Sequence, residues 1–328
     1  MSRNNTNNNA PLLTVAACGV AVGALAFHLI CNRRYSPPKV WTIPKGGSGG
    51  KFAAVNAPTS GSRAAKALPT TPLPIQLYSM GTPNGVKVTI LLEEICLLDP
   101  TFDYSAHFVG LSGDQFNSGF VGVNPNSKIP ALVDKTDPAN PINVFESGAI
   151  MVHLAEKYPD LQLLGTTPSS RAVVMSWLMW QMASAPFLGG GFGHFYSYAP
   201  KKFEYPINRY AMESKRQLHV LDTQLSTNKY VCGDNYSLAD IAIWPWYGAV
   251  VLDRLYSAGE FLNVKEYPNV IRWAKMLEDE REAVRRGRMV NRTWGATECD
   301  NDDFPKFKGL KPVKDRLSRA DMTNAGVD

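Results

Sequence analysis

The chain has 328 residues, of which 45% are apolar and 19% charged, with a net charge of +5 at neutral pH. That length allows roughly two domains plus extensions, with ample apolar material for buried cores. The basic residues are scattered apart from short runs such as Lys201-Lys202 and Arg285-Arg286, so they lack the dense stripe that a nucleic-acid surface needs.

The five cysteines are Cys18, Cys31, Cys96, Cys232 and Cys299. None forms a C-x-x-C pair or has metal-ligand spacing with a histidine, which argues against a dithiol redox motif and a zinc site. An odd, scattered set fits a reducing compartment.

After a polar stretch at 1–10, residues 11–31 (PLLTVAACGVAVGALAFHLIC) contain no charged side chain. About 20 such residues suffice to span a bilayer as one helix, so this segment is predicted to be a single N-terminal transmembrane anchor. Arg3 precedes it and Arg33, Arg34 and Lys39 follow, which by the positive-inside rule keeps the downstream bulk in the cytosol. A cleaved secretory signal is the rival reading, but such signals carry their charge ahead of the apolar run. Residues 32–72 are rich in Gly, Pro, Ser, Ala and Lys and read as a flexible extension. Trp41 and Phe52 are unusual in a free tether and suggest that part of it packs on the body.

Residues 73–160 read as a small α/β domain. A strand at Ile75–Ser79 leads into a helix at Pro83–Leu98, and a second strand lies near Asp103–Val109. Strands at Ala131–Val133 and Asn143–Phe145 follow, the latter entering a helix at Ser147–Tyr158. Two such βα units imply a mixed sheet flanked by helices. Pro159, Gly165 and Pro168 mark a link to a second domain.

That second domain, 168–294, reads as all-helical. Ile207, Tyr210, Ala211, Ser214, Leu218, Leu221 and Leu225 recur at helical spacing. Ser237-Leu-Ala-Asp240 has capping-box spacing before the apolar run Ile241–Trp246. Val270, Trp273, Ala274 and Leu277 mark a further helix, and residues 295–328 read as a polar tail. Trp244 and Trp246 are expected in the core, and Cys96 is expected to be buried and inert. His194 and Tyr196–Tyr198 fit either a substrate pocket or an aromatic wall under a loop.

Three short motifs carry the chemistry. In Gly81-Thr82-Pro83-Asn84-Gly85, proline at the first helical position has no N–H to waste. The free N–H groups and helix dipole there suit an anion or thiolate, to which Thr82 and Asn84 can donate hydrogen bonds. The plainer reading makes Thr82 an N-cap and Asn84 a turn residue. In Ser127-Lys128-Ile129-Pro130, a cis proline would free the Ile129 backbone to pair with a ligand peptide, whereas a trans proline would simply open a strand. Glu146-Ser147 opens a helix: the carboxylate suits a ligand ammonium, and Ser147 with the helix N-terminus suits a ligand carboxylate, unless both merely cap.

Together with GDQF (113–116), APFLGGGFGHFYSYAP (185–200), INRYAMESKRQL (207–218) and SLADIAIWPW (237–246), these motifs resemble cytosolic glutathione transferases. The likeness is to the nu-class-like disulfide-bond reductase branch, which is related to the yeast prion-forming nitrogen regulator. It spans about residues 39–294 and leaves out the hydrophobic segment and the tail. It implies a thioredoxin-like α/β domain followed by an all-α domain, usually as a homodimer. It also implies glutathione as co-substrate, up to two per subunit, and no metal. Thr82 and Asn84 would face the sulfur, Gln115, Lys128 and Ile129 would lie along the peptide, and Glu146 and Ser147 would hold the γ-glutamyl end. Arg209 would contact a second glutathione.

The function so implied is glutathione-dependent disulfide-bond reduction by an enzyme anchored through residues 11–31 and facing the cytosol. Conjugation of glutathione to electrophiles and a non-catalytic binding or regulatory role are the alternatives. The partners are glutathione and a small disulfide or electrophile.

Overall fold

A computed structural model describes residues 36–45, 55, 57–293 and 305–326. Residues 36–45 belong to one unit and the described residues from 55 onward to another. In the first, residues 36–45 carry no helix or strand. The predicted anchor at 11–31 and Phe52 lie outside the described residues. Among the described residues no helix is long and apolar enough to cross a membrane.

The second unit opens on a four-stranded mixed sheet. Its strands are β1 (Ile75–Ser79), β2 (Tyr104–Phe108), β3 (Ala131–Asp134) and β4 (Ile142–Phe145), in spatial order β2-β1-β3-β4. β1 runs parallel to β2, and β3 is antiparallel to both β1 and β4. The parallel pair needs a crossover, which is α1 (Pro83–Leu98). β1 is buried throughout, with both sheet faces covered, and its polar members Gln76 and Ser79 are hydrogen-bonded to Leu73 O and Asn291 Nδ2. A short helix, α2 (Ser118–Val123), precedes the Ile129-Pro130 bond, which is cis. β4 hands over directly to α3 (Ser147–Lys157).

The helical half begins with α4 (Pro168–Pro186), closed at its start by a capping box between Thr167 and Ser170. A wide π-type helical stretch, Phe187–Tyr198, continues it. α5 (Glu204–Leu225) buries Ser214, Leu218, Leu221 and Leu225, the lower part of the apolar face legible in sequence. α6 (Leu238–Ile243) has the Ser237–Asp240 capping box, and Asp240 also accepts bonds from Val231 N and Trp273 Nε1, both at 2.9 Å. α7 (Pro268–Glu280) and α8 (Glu282–Met289) follow. α8 lies against α1 at very short range: a Cβ on Gly287 would meet the Ile90 backbone nitrogen at 2.5 Å. Only glycine permits that approach.

Two sequence expectations need correction. The tail reading fails for residues 305–326, which fold back onto the α/β domain. Arg316 pairs with Ala106 as an extra strand-like bridge on the free edge of β2, and Phe307 and Met322 are buried. The physical reason is charge: Arg316 inserts among Glu93 and Asp103, so a polar composition here marks a buried ion network. The flexible-extension reading likewise fails for its C-terminal part. Arg63 N donates to Phe116 O at 2.8 Å, Gly119 N donates to Lys66 O at 2.9 Å, and the Arg63 guanidinium sits 3.5 Å from the Phe116 ring centre.

Candidate functional site

The site is built at the start of α1. Thr82 is the N-cap, with extended backbone and its hydroxyl oxygen 3.5 Å from Gly85 N. A Cβ at Gly85 would lie 2.1 Å from Met80 O, so the tight turn requires glycine there. The turn is pinned from behind by Asn291. Gly81 N donates to Asn291 O at 2.8 Å, and Asn291 Nδ2 donates to Ser79 Oγ at 2.7 Å and His107 O at 3.2 Å. Ser79 is therefore buried and engaged. The Tyr78 hydroxyl donates to Pro69 O at 2.8 Å, and burial pushes its phenol up to about 12, so neither residue is available to activate a sulfur.

Asn84 is oriented from the helical domain. Its Oδ1 accepts a hydrogen bond from Trp246 Nε1 at 2.9 Å. With the carbonyl end so engaged, the amide N–H groups are the end left to face a ligand. The Trp246 ring reaches this position only because residue 189 is glycine; a Cβ there would meet the ring at 2.4 Å. The sequence placed Trp246 in the core. It is indeed 9% exposed, yet its buried indole also forms a wall of both chambers described next.

Two chambers meet at Asn84. One, of about 490 Å³, is lined by Thr82, Asn84, Gln115, Ser127, Lys128 and Ile129, with His194, Tyr198 and Tyr256 opposite. Two buried atoms on its lining, Gln115 Oε1 and Ser127 Oγ, have no partner among the described residues. Buried polar atoms without a partner are the exception in folded proteins, and these two belong to residues that border the chamber. The other chamber, of about 850 Å³, has Asn84, Lys87, Glu146 and Ser147 at one end and Val152, Met175, Met179 and Met182 along its side. Glu146 sits at φ 69°, a left-handed backbone unusual for a side-chain-bearing residue, and accepts from Asn126 Nδ2 at 3.3 Å. A third cavity of about 390 Å³ extends beyond Thr82 between Val86, Leu111, Pro245 and Leu255.

Seven of the eight predicted site residues thus border the two chambers. Arg209 does not: it lies on α5 in a separate surface depression with Tyr205, Asn208 and Met212. His194 and Tyr198 line the first chamber, whereas Tyr196 packs on Phe192 and Phe261. Among the described residues, the cysteines contribute no nucleophile here. Burial pushes the Cys96 thiol up to about 12 and the Cys232 thiol up to about 11, so neither is a thiolate near neutral pH. Among the described residues no cluster of His, Cys, Asp or Glu suits a metal.

Sequence reasoning missed Lys87, Trp246 and Tyr256 as lining residues. For Lys87 a signal existed: it is the one charged residue in the run Val86–Leu92, and no carboxylate stands three or four positions away to pair with it. Trp246 and Tyr256 carried none, since they stand more than 150 residues beyond the Thr82–Asn84 turn.

Comparison with known proteins agrees with this architecture. The glutathione S-transferase N-terminal domain family matches residues 73–156 and its C-terminal domain family matches residues 179–280. The disulfide-bond oxidoreductase YghU of Escherichia coli is 56% identical over 266 residues, covering 80% of this chain and 91% of that protein. The glutathione transferase YghU of Streptococcus pneumoniae, solved in complex with glutathione, is 48% identical with a TM-score of 0.74, covering 78% of this chain and 97% of that one. A glutathione transferase of Pseudomonas putida, solved with one glutathione disulfide bound per subunit, is 40% identical with a TM-score of 0.60, covering 67% of this chain and 93% of that one.

Proposed function

The chain belongs to the glutathione S-transferase family, and we propose that within it the protein is a glutathione-dependent disulfide-bond reductase. The observation that carries the reading is the Asn84 amide, oriented by Trp246 at the junction of two chambers, while the thiols of Cys96 and Cys232, the cysteines among the described residues, have pKa values raised by burial. The ligand then supplies both sulfur and electrons.

One glutathione lies with its γ-glutamyl end at Glu146 and Ser147, its backbone along Ile129, Lys128 and Gln115, and its sulfur at Thr82 and Asn84. Its thiolate attacks one sulfur of a disulfide, forming a new S–S bond as the old one breaks and the leaving thiolate takes a proton. A second glutathione thiolate attacks the mixed disulfide, releases the other substrate thiol and leaves as glutathione disulfide. Two thiolates have given up the two electrons that the substrate gained. The glutathione disulfide held by the Pseudomonas putida protein supports the reading, since it demands room for two adjacent sulfurs.

Arg209 serves a second glutathione in this scheme only if ligand or a second subunit closes the distance from its surface depression. We take the working form to be a homodimer. Met179 and Phe145, at 48% and 38% exposed, are large apolar side chains of the kind a partner subunit covers; light scattering showing a monomer would refute this. We also assign residues 11–31 as a membrane anchor with the catalytic domain facing the cytosol. Loss of membrane association on deleting residues 1–35, followed by fractionation, is its test.

The third cavity beyond Thr82, where Val86, Leu111, Pro245 and Leu255 stand beside Arg254, Arg288 and Arg292, offers room for a second substrate other than glutathione, which makes conjugation to an electrophile the second reading. Parallel assays separate the two: glutathione disulfide formed from glutathione and a small disulfide, against thioether formed with a chloro-dinitro aromatic. Disulfide reduction is expected to dominate. Conjugation alone would overturn the reductase reading, and glutathione binding with neither turnover would favour a regulatory role.

A further inference from the structure

Lys87 is the charged side chain of α1 nearest the turn, and it is 1% exposed. Its Nζ donates to Gln181 Oε1 at 2.7 Å and lies 3.4 Å from Ser147 Oγ and 4.0 Å from Met182 Sδ. All three neighbours are neutral. Among the described residues no carboxylate is within ion-pair distance of it, and a buried ammonium held only by neutral groups is costly unless an anion completes it. The remaining ionisable groups on that chamber are already engaged: Glu146 by Asn126 at 3.3 Å, His153 by Asp134 at 2.9 Å, and Glu156 by Arg171 at 2.5 Å. Gln181 Nε2, also buried, has no partner among the described residues, so the cluster is one polar group short of complete. Lys87 shares the chamber with Glu146 and Ser147.

Resting on the glutathione reading above, we propose that Lys87 is the buried cation of the carboxylate subsite, meeting the γ-glutamyl α-carboxylate from the α1 side while Ser147 meets it from α3. A mere brace between α1 and α4 through Gln181 would make no demand on the ligand. The two roles differ in proton traffic. Burial pulls the Lys87 ammonium down to about 7, partly opposed by the nearby Glu146 carboxylate. The unliganded protein near neutral pH is therefore a mixture of charged and neutral Lys87. A ligand carboxylate favours the charged form, so binding draws a proton in from solvent.

The test is calorimetry of the full chain with S-methylglutathione, which has no thiol proton to release, at about pH 8 in buffers of different ionisation enthalpy. Wild type is expected to take up a proton fraction, and Lys87→Met to take up none while binding about 30-fold more weakly or worse. The analogue with 4-aminobutyryl in place of γ-glutamyl lacks the α-carboxylate; it should bind wild type without proton uptake and be indifferent to Lys87→Met. Equal weakening of both peptides by the substitution, or no uptake by wild type, overturns the assignment. The comparison of the two peptides on wild type decides the matter even if the variant does not fold. Absence of any S-methylglutathione binding by wild type overturns the glutathione reading and this assignment with it, a result distinct from binding without uptake.

Discussion

Asn84→Ala is expected to lower the rate of glutathione disulfide formation on the order of 10²-fold at neutral pH, the loss seen when one oriented hydrogen-bond donor to a developing or resident anion is removed. The sulfur has little else to stabilise it in this chain. The Thr82 hydroxyl donates to a sulfur only in competition with Met80 O at 3.5 Å, Tyr78 and Ser79 are turned to other partners, and the first-turn N–H groups supply only a partial positive charge. Without the Asn84 amide the thiol pKa rises, so the pH–rate profile of the variant should move to higher pH and recover part of its activity there. Trp246→Phe should reproduce the same shift at about a tenth of the rate, because an aromatic ring stays while the Nε1–H that holds Oδ1 is lost. The check is the rate against pH for all three proteins, with the ultraviolet absorbance of bound thiolate as a second readout. Unaltered profiles in both variants would remove Asn84 from the chemistry.

Much of this site is written in local signals. The Thr-Pro-Asn-Gly turn, the Ile-Pro step and the Glu-Ser step each combine a backbone-restricting residue with a polar one, and such signals act over a few positions. Seven of the residues singled out in the sequence border the two chambers. What was illegible acts across long separations. Trp246 reads as core because it follows the apolar run Ile241–Ile243, and nothing in that run says that one indole nitrogen meets an amide 162 residues away. Lys87 stands out in the sequence as an unpaired charge in an apolar run, but its partners Ser147 and Gln181 are set only when α3 and α4 close over it. Residues 305–326 were misread for a related reason: composition separates polar from apolar, but it cannot tell a solvated charge from one that is buried and paired.

Arg316 shows what that distinction is worth. Its guanidinium, fully buried, donates from Nε to Glu93 Oε1 at 3.1 Å and from Nη1 to Asp103 Oδ1 at 2.7 Å, and also reaches Tyr104 O. It stacks over the Tyr104 ring at 3.8 Å, and the Tyr104 hydroxyl donates to the same Glu93 oxygen at 2.6 Å. Arg286 holds the other Glu93 oxygen at 2.6 Å. Arg316→Met keeps the apolar stem and removes the charge, leaving Glu93 buried with one cation where it had two. The expected loss is about 3 kcal/mol, the low end of the roughly 3–5 kcal/mol for breaking a buried pair, because Arg286 still compensates part of the carboxylate. Combining it with Arg286→Met should exceed the sum of the single losses, since Glu93 then has no cation left. Urea unfolding of wild type, both single variants and the double variant measures this directly. A loss below about 0.5 kcal/mol for Arg316→Met, the scale of an ordinary surface change, would mean that residues 305–326 are not tied to the fold through this network. A large loss with little change in glutathione affinity would assign the segment to holding the edge of β2 and the far end of α1, leaving the first turn of that helix to the thiolate.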